Sequence, residues 1–109
     1  MALIKVGRNN FDVNIKKSFF SHLFGLMFSF SKNDGVLMIF KKEKNISLHS
    51  FFVFIKFDIV YFDDSKSAIK IIKNVKQFTP YIRNIKCRYI LEVKDCKNVK
   101  LNDKLSIEE

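Results

Sequence analysis

His49-Ser50-Phe51-Phe52-Val53-Phe54-Ile55-Lys56-Phe57-Asp58-Ile59-Val60-Tyr61-Phe62 is the longest strand candidate in the chain, and its reading decides the fold. Successive side chains of a strand point to opposite faces, so parity sorts them. Phe51, Val53, Ile55, Phe57, Ile59 and Tyr61 share one parity, and all are apolar or aromatic. Phe52, Phe54, Lys56, Asp58, Val60 and Phe62 share the other, which is apolar at both ends and polar in the middle. A strand with that pattern is buried on most of both sides. It is too short and too charged to span a bilayer as a helix.

Shorter strands surround it. Leu3–Val6 fits a first strand, with Gly7, Asn9 and Asn10 as a turn. Phe11, Val13 and Ile15 alternate with Asp12 and Asn14, the period of a half-buried strand. Ser18 is placed to N-cap a short helix. Phe19/Leu23 and Phe20/Phe24 would form its apolar stripe, and Gly25 would end it. Val36–Phe40 is a strand-length apolar run, and Lys41–Asn45 reads as a solvated loop. Beyond the central strand, Asp63–Ser67 reads as a turn and Ala68–Ile72 as an antiparallel neighbour. Thr79-Pro80 falls in an irregular segment. In Arg88–Val93, Tyr89, Leu91 and Val93 are expected inward, with Arg88 and Glu92 outward and Ile90 an exception. Asp95–Lys100 reads as a loop, and Leu105 and Ile107 as a last strand. Parallel crossovers need about a dozen residues or more, and only Phe11–Phe40 has room for one. The expectation is a mainly β (α+β) fold: a small curled or closed antiparallel β-barrel of about seven strands with one short helix. Residues 1–109 form a single domain on this reading.

The core is phenylalanine-rich, with 13 Phe and no Trp in 109 residues. Each Phe brings roughly 1.5–3 kcal/mol on full burial, so neither a disulfide nor a structural metal is required. Cys87 and Cys96 are expected as free thiols in a reducing, cytoplasmic setting, with a Cys87–Cys96 disulfide closing a short loop as the alternative. Met1–Phe11 carries no apolar signal region, so no targeting segment is expected there. The net charge of +9 points to polyanions such as RNA or DNA. Lysine supplies 17 of the 20 basic residues, leaving Arg8, Arg83 and Arg88. Phosphate readers favour the forked Arg, and a chain rich in Phe, Ile, Lys and Asn is also what an AT-rich genome yields without selection.

Signatures of known chemistry are missing. Three glycines (Gly7, Gly25, Gly35) cannot build a phosphate loop, and the cysteine spacing fits no zinc knuckle. His22 and His49 are too few for a histidine cage, so neither a metal nor a cofactor is expected. Two groups of residues remain as candidates. The first is a cleft near His49, Phe52, Lys56 and Asp58, where a histidine able to titrate near neutral pH precedes a carboxylate set in an apolar strand. The bland reading makes His49 an aromatic spacer and has Asp58 cap backbone N–H groups and fix the local register. The second is the acid-free segment of Lys66, Lys70, Lys73, Lys76, Arg83, Lys86 and Arg88, with Tyr81 and Tyr89 interleaved. Aromatic faces can stack bases while cations hold phosphates. A solvated edge strand with aggregation-blocking lysines looks the same in sequence.

Four pieces then resemble the domain-of-unknown-function 192 family over about residues 4–107. The anchor is Gly25-Leu26-Met27-Phe28. Leu48–Asp63 is similar to the archaeal form of the family's central motif, in which a His and two Phe precede an apolar residue, a Pro and an Asp. Arg88-Tyr89-Ile90-Leu91-Glu92-Val93 is similar to its tyrosine strand, and Asn102-Asp103-Lys104-Leu105 to its terminal turn. Lys56 stands where a Pro is usual and Asn102 where a Gly is usual, and the Gly common near Asp95 is missing. The resemblance implies a compact β-rich fold and no reaction. It marks His49, Phe52 and Asp58 for testing.

The favoured expectation is a non-enzymatic binding module for a polyanion (RNA or DNA) or a protein partner. The alternatives are a small-ligand or enzymatic cleft near His49 and Asp58, and a structural or assembly subunit, either monomeric or a homodimer.

Overall fold

The computed structural model describes residues 2–16, 34–48, 57–75 and 82–108. Within them seven strands form one sheet: β1 (Ala2–Val6), β2 (Asn9–Lys16), β3 (Gly35–Leu48), β4 (Phe57–Phe62), β5 (Ala68–Val75), β6 (Ile82–Val93) and β7 (Leu105–Glu108). Their order across the sheet is β5-β4-β6-β3-β2-β1-β7.

A two-residue turn, Gly7-Arg8, joins β1 and β2, with Val6 opposite Asn9. Gly7 has φ 60°, which is the first position of a II′ hairpin turn. A Cβ there would also come 2.6 Å from Oδ2 of Asp103. Asn9 and Asn10 belong to β2 and not to the turn as expected, because the tight turn needs only the glycine and its neighbour.

β2 and β3 run parallel, Val13 beside Gly35 and Lys16 beside Met38. The antiparallel expectation is corrected at this one pair, and the crossover uses the stretch with room for it. Gly35 lies so close to the Glu92 carbonyl that a Cβ would collide with it, which presses β3 tightly onto β6. β6 pairs antiparallel with both β3 and β4, and β3 is the middle strand of the seven.

The sheet curls until its two edges touch at one end. Ser67 bridges Lys104, the Ala68 amide donates to the Asp103 carbonyl, and the Leu105 amide donates to the Lys66 carbonyl. All seven strands fill the inside: Ile4, Val6, Phe11, Val13, Leu37, Val60, Phe62, Ala68, Tyr89, Leu91, Val93 and Leu105, with Cys96 and Val99 from the β6–β7 loop. A second core lies on the opposite face of β3–β6, made of Val36, Met38, Phe40, Phe57, Ile59, Tyr61, Val75, Cys87 and Ile90. All six residues of β4 are buried, so the central segment is core on both sides wherever it is described.

Three further expectations change. The mainly β architecture of about seven strands holds, but the short helix does not belong to it: there is no helix among the described residues. The Ser18–Gly25 segment itself lies outside them. Apolar pairs four apart arise by composition alone in a chain this dense in Phe, and strand residues fill the inner core by themselves. Lys41–Asn45 is part of β3: Lys44 and Asn45 pair with Cys87 and Lys86 of β6, and Lys41–Glu43 lie in an irregularity of the strand just before them. Glu92, expected outward, is buried, because the face it points to is the second core and not solvent.

Candidate functional site

Asp58 lies on the inward-facing parity of β4 with Val60 and Phe62. Between Phe57↔Val75 and Ile59↔Ile72, β4 advances two residues while β5 advances three. The extra residue forms a bulge at Asn74, whose φ is 58°. Oδ1 of Asp58 accepts the Asn74 amide at 2.8 Å, and Oδ2 accepts the Cys96 amide at 2.9 Å. The buried carboxylate thus ties the β5 bulge to the loop after β6 by two charge-assisted bonds. Burial, helped by the Asp58 carboxylate, pushes the Cys96 thiol up to about 11. Cys87 and Cys96 are both free and sit in opposite cores, so the sheet stands between them. His49, Phe52 and Lys56 lie outside the described residues, so of the first candidate group only Asp58 has a described setting.

The structure distributes the second group over two strands and a turn. Lys66 sits in the β4–β5 turn with φ 65°. Lys70 (half-buried) and Lys73 (exposed) are on β5, while Lys86 (exposed) and Arg88 (half-buried) are on β6. β4 separates the two strands. Arg83 has its backbone in β6, and its side chain is outside the described residues, as are Lys76 and Tyr81. Tyr89 is an inner-core residue with 5% exposure, so its ring cannot take a base. Lys66 Nζ lies 6.0 Å and Arg88 Cζ 5.5 Å from its centroid.

Arg88 is the hub of a large irregularity. From Ile39↔Tyr89 to Lys44↔Cys87, β3 advances five residues while β6 advances two. Phe40–Glu43 therefore bulges out opposite Arg88. Nε of Arg88 donates to the Phe40 carbonyl at 3.1 Å, and Nη1 pairs with Oδ1 of Asp64 at 3.2 Å. Oε2 of Glu43 accepts the Asp64 amide at 2.8 Å. These contacts clip the bulge to the β4–β5 turn and occupy its two nearest carboxylates. Lys41, Lys42 and Lys44 are left exposed, and Asn45 pairs with Lys86 across the ribbon. Lys44 Nζ rests 5.1 Å over the Phe40 ring. Four exposed lysines are thus carried on neighbouring backbone of two strands, and by the register Lys44 shares a face with Cys87 while Lys86 lies on the other face with Asn45. The sequence reading did not group Lys41, Lys42 and Lys44 with the site; their run was visible, but its cross-strand neighbour Lys86 was not.

A buried polar cluster also escaped that reading. Glu92 lies opposite Ile59, and Tyr61 opposite Ile90, so Glu92 and Tyr61 are diagonal neighbours across β4 and β6. Burial raises the Glu92 carboxyl to about 8. Burial first, then Glu92 and Cys87, hold the Tyr61 phenol well above its ordinary value. The Tyr61 hydroxyl is buried and has no hydrogen-bond partner among the described residues. The Cys87 thiol is pushed up to about 12 by burial and then by Glu43.

Among the described residues, no group of three His, Cys, Asp or Glu side chains is arranged to hold a metal ion. Nor is any described helix long and apolar enough to cross a membrane.

Residues 2–106 match the model of a family, DUF192, described as "Uncharacterized ACR". No curated protein matches the chain. A protein from Sinorhizobium meliloti 1021, provisionally described as a transcription regulator, has a similar structure. The TM-score is 0.86 at 15% identity, over 97% of this chain and 92% of that one. A protein of unknown function from Novosphingobium aromaticivorans DSM 12444 superposes with TM-score 0.80 at 18% identity, over 95% of this chain and 83% of that one. At such identities the likeness is one of fold.

Proposed function

The chain belongs to the DUF192 family, and from its lysine surface we propose that it is a non-enzymatic binding module for a polyanion, with nucleic acid as the first choice. One observation carries the reading: Lys41, Lys42 and Lys44 stand exposed on the β3 bulge, beside exposed Lys86 of β6. The net charge of +9 adds a long-range attraction to the same partners. A transcription regulator works on or beside nucleic acid, so the description given to the Sinorhizobium protein supports the same partner class. Two free thiols suit a reducing compartment, and cytoplasmic residence is part of the proposal.

Titration of the protein with heparin, duplex DNA and single-stranded RNA at 50 and 200 mM salt tests the reading. Releasing counterions from a few phosphates makes affinity fall steeply over that interval. The expected result is association at the lower salt that weakens at the higher. No association, or association indifferent to salt, would overturn it.

The second reading is a small-ligand cleft beside His49, Phe52, Lys56 and Asp58. It has a buried carboxylate in its favour. It ranks below because two backbone amides already engage both oxygens of that carboxylate.

A further inference from the structure

We infer that the lysine surface grips the phosphate backbone of a double helix and does not stack bases, a deepening that rests on the polyanion reading above. Single-strand binders pair a basic groove with open aromatic faces on which bases lie. The described aromatic residues at this surface offer no such face. Phe40 is 6% exposed and Tyr89 5% exposed. Each ring is also already covered by a cation of the chain itself: Lys44 on Phe40, Lys66 and Arg88 on Tyr89.

The donors argue in the same direction. Reading base edges in a groove favours a free guanidinium, whose fork matches two acceptors of one base. Arg88, which lies at this surface, spends its fork on the Phe40 carbonyl and on Asp64. What remains outward is a set of ammonium groups on flexible stems: Lys41, Lys42, Lys44 and Lys86. Ammonium groups act as point charges, suited to phosphate oxygens and indifferent to sequence. They are displayed on a β-ribbon, so they meet a partner as a ridge rather than as an enclosing channel.

Fluorescence anisotropy with labelled oligonucleotides tests this. The probes are two duplex DNAs of unrelated sequence, one duplex RNA, the single strands that compose them, and unlabelled heparin as competitor. The two DNA duplexes are expected to bind within about twofold of each other, and duplexes several-fold tighter than their own single strands. The duplex RNA arm shows whether the grip extends to both double helices. Replacing Lys41, Lys42 and Lys44 together by Gln should lower duplex affinity at least tenfold and flatten the salt dependence by about one unit of slope per lost contact. Single strands binding as tightly as duplexes, a tenfold preference for one duplex sequence, or a triple variant that keeps the wild-type duplex affinity would each overturn the inference while leaving polyanion binding intact. Heparin failing to bind at low salt would overturn the underlying reading as well.

Discussion

Two buried carboxyl groups, Asp58 and Glu92, have different surroundings. Asp58 has an N–H donor for each oxygen. Removing it leaves two donors with no acceptor, and each unsatisfied buried group costs about 1–3 kcal/mol. Asp58→Ala should therefore lower unfolding stability by about 3 kcal/mol. Asp58→Asn, which keeps one acceptor oxygen, should cost less than half as much. Urea unfolding measures both. Equal midpoints for the wild type and the alanine variant would show that these bonds do not hold the β5 bulge. Burial governs Glu92, whose folded carboxyl keeps its proton up to about pH 8, where an exposed one releases it near 4.5. Its contribution to stability is thus complete below about pH 4.5, declines through the interval and is gone above pH 8. Within that window the slope is about 1.4 kcal/mol per pH unit. Denaturant melts at pH 5, 6.5 and 8 should show wild-type stability falling with pH, and Glu92→Gln should remove most of the fall. A variant with the wild-type slope would mean that other groups set it.

Among elements, the β3–β6 ribbon shows where sequence reasoning succeeded and where it stopped. Alternation exposed β1 and β2, because one side of each meets the inner core and the other is less buried, and it picked out Tyr89, Leu91 and Val93 of β6 as inward although the other side of that strand meets the second core. The continuous apolar run of β4 was legible as a strand buried on two sides. Lys41–Asn45 was not legible as a strand, since nothing in five mostly charged residues reports that β6 lies alongside. Glu92 was misplaced for a related reason: parity says which residues share a face, not whether that face is wet. The parallel β2–β3 pair depends on a crossover whose path no local pattern records. Of the candidate site, Lys86 and Arg88 were identified from charge, while Lys41, Lys42 and Lys44 needed the register. That register makes a prediction. Deleting Lys41, Lys42 and Glu43 leaves two steps on β3 against two on β6. The shortened chain should pair without the bulge, keep its melting temperature within a few degrees and lose most of its salt-dependent duplex binding. A deletion variant that binds as well as wild type would move the site elsewhere.

For the whole molecule, the charge of +9 acts at a distance. Like charges spread over a surface repel in the folded state more than in the expanded one, and salt screens that repulsion within about 10 Å at 0.1 M. Raising sodium chloride from 20 to 200 mM should therefore raise the melting temperature, while the same change weakens nucleic-acid binding. Calorimetry at three salt concentrations would record it. A melting temperature that falls with salt would mean that attractive pairs, such as Arg88–Asp64, outweigh the repulsion. The pairing of the first and last strands has a different consequence. β1 and β7 are antiparallel neighbours with Leu3 opposite Glu108, so residues 3 and 108 lie side by side. A few Gly and Ser residues would suffice to splice those positions into a circular backbone. New ends could then be opened at the exposed Asp64-Ser65 corner, giving a permuted protein with the same sheet and the same lysine ridge.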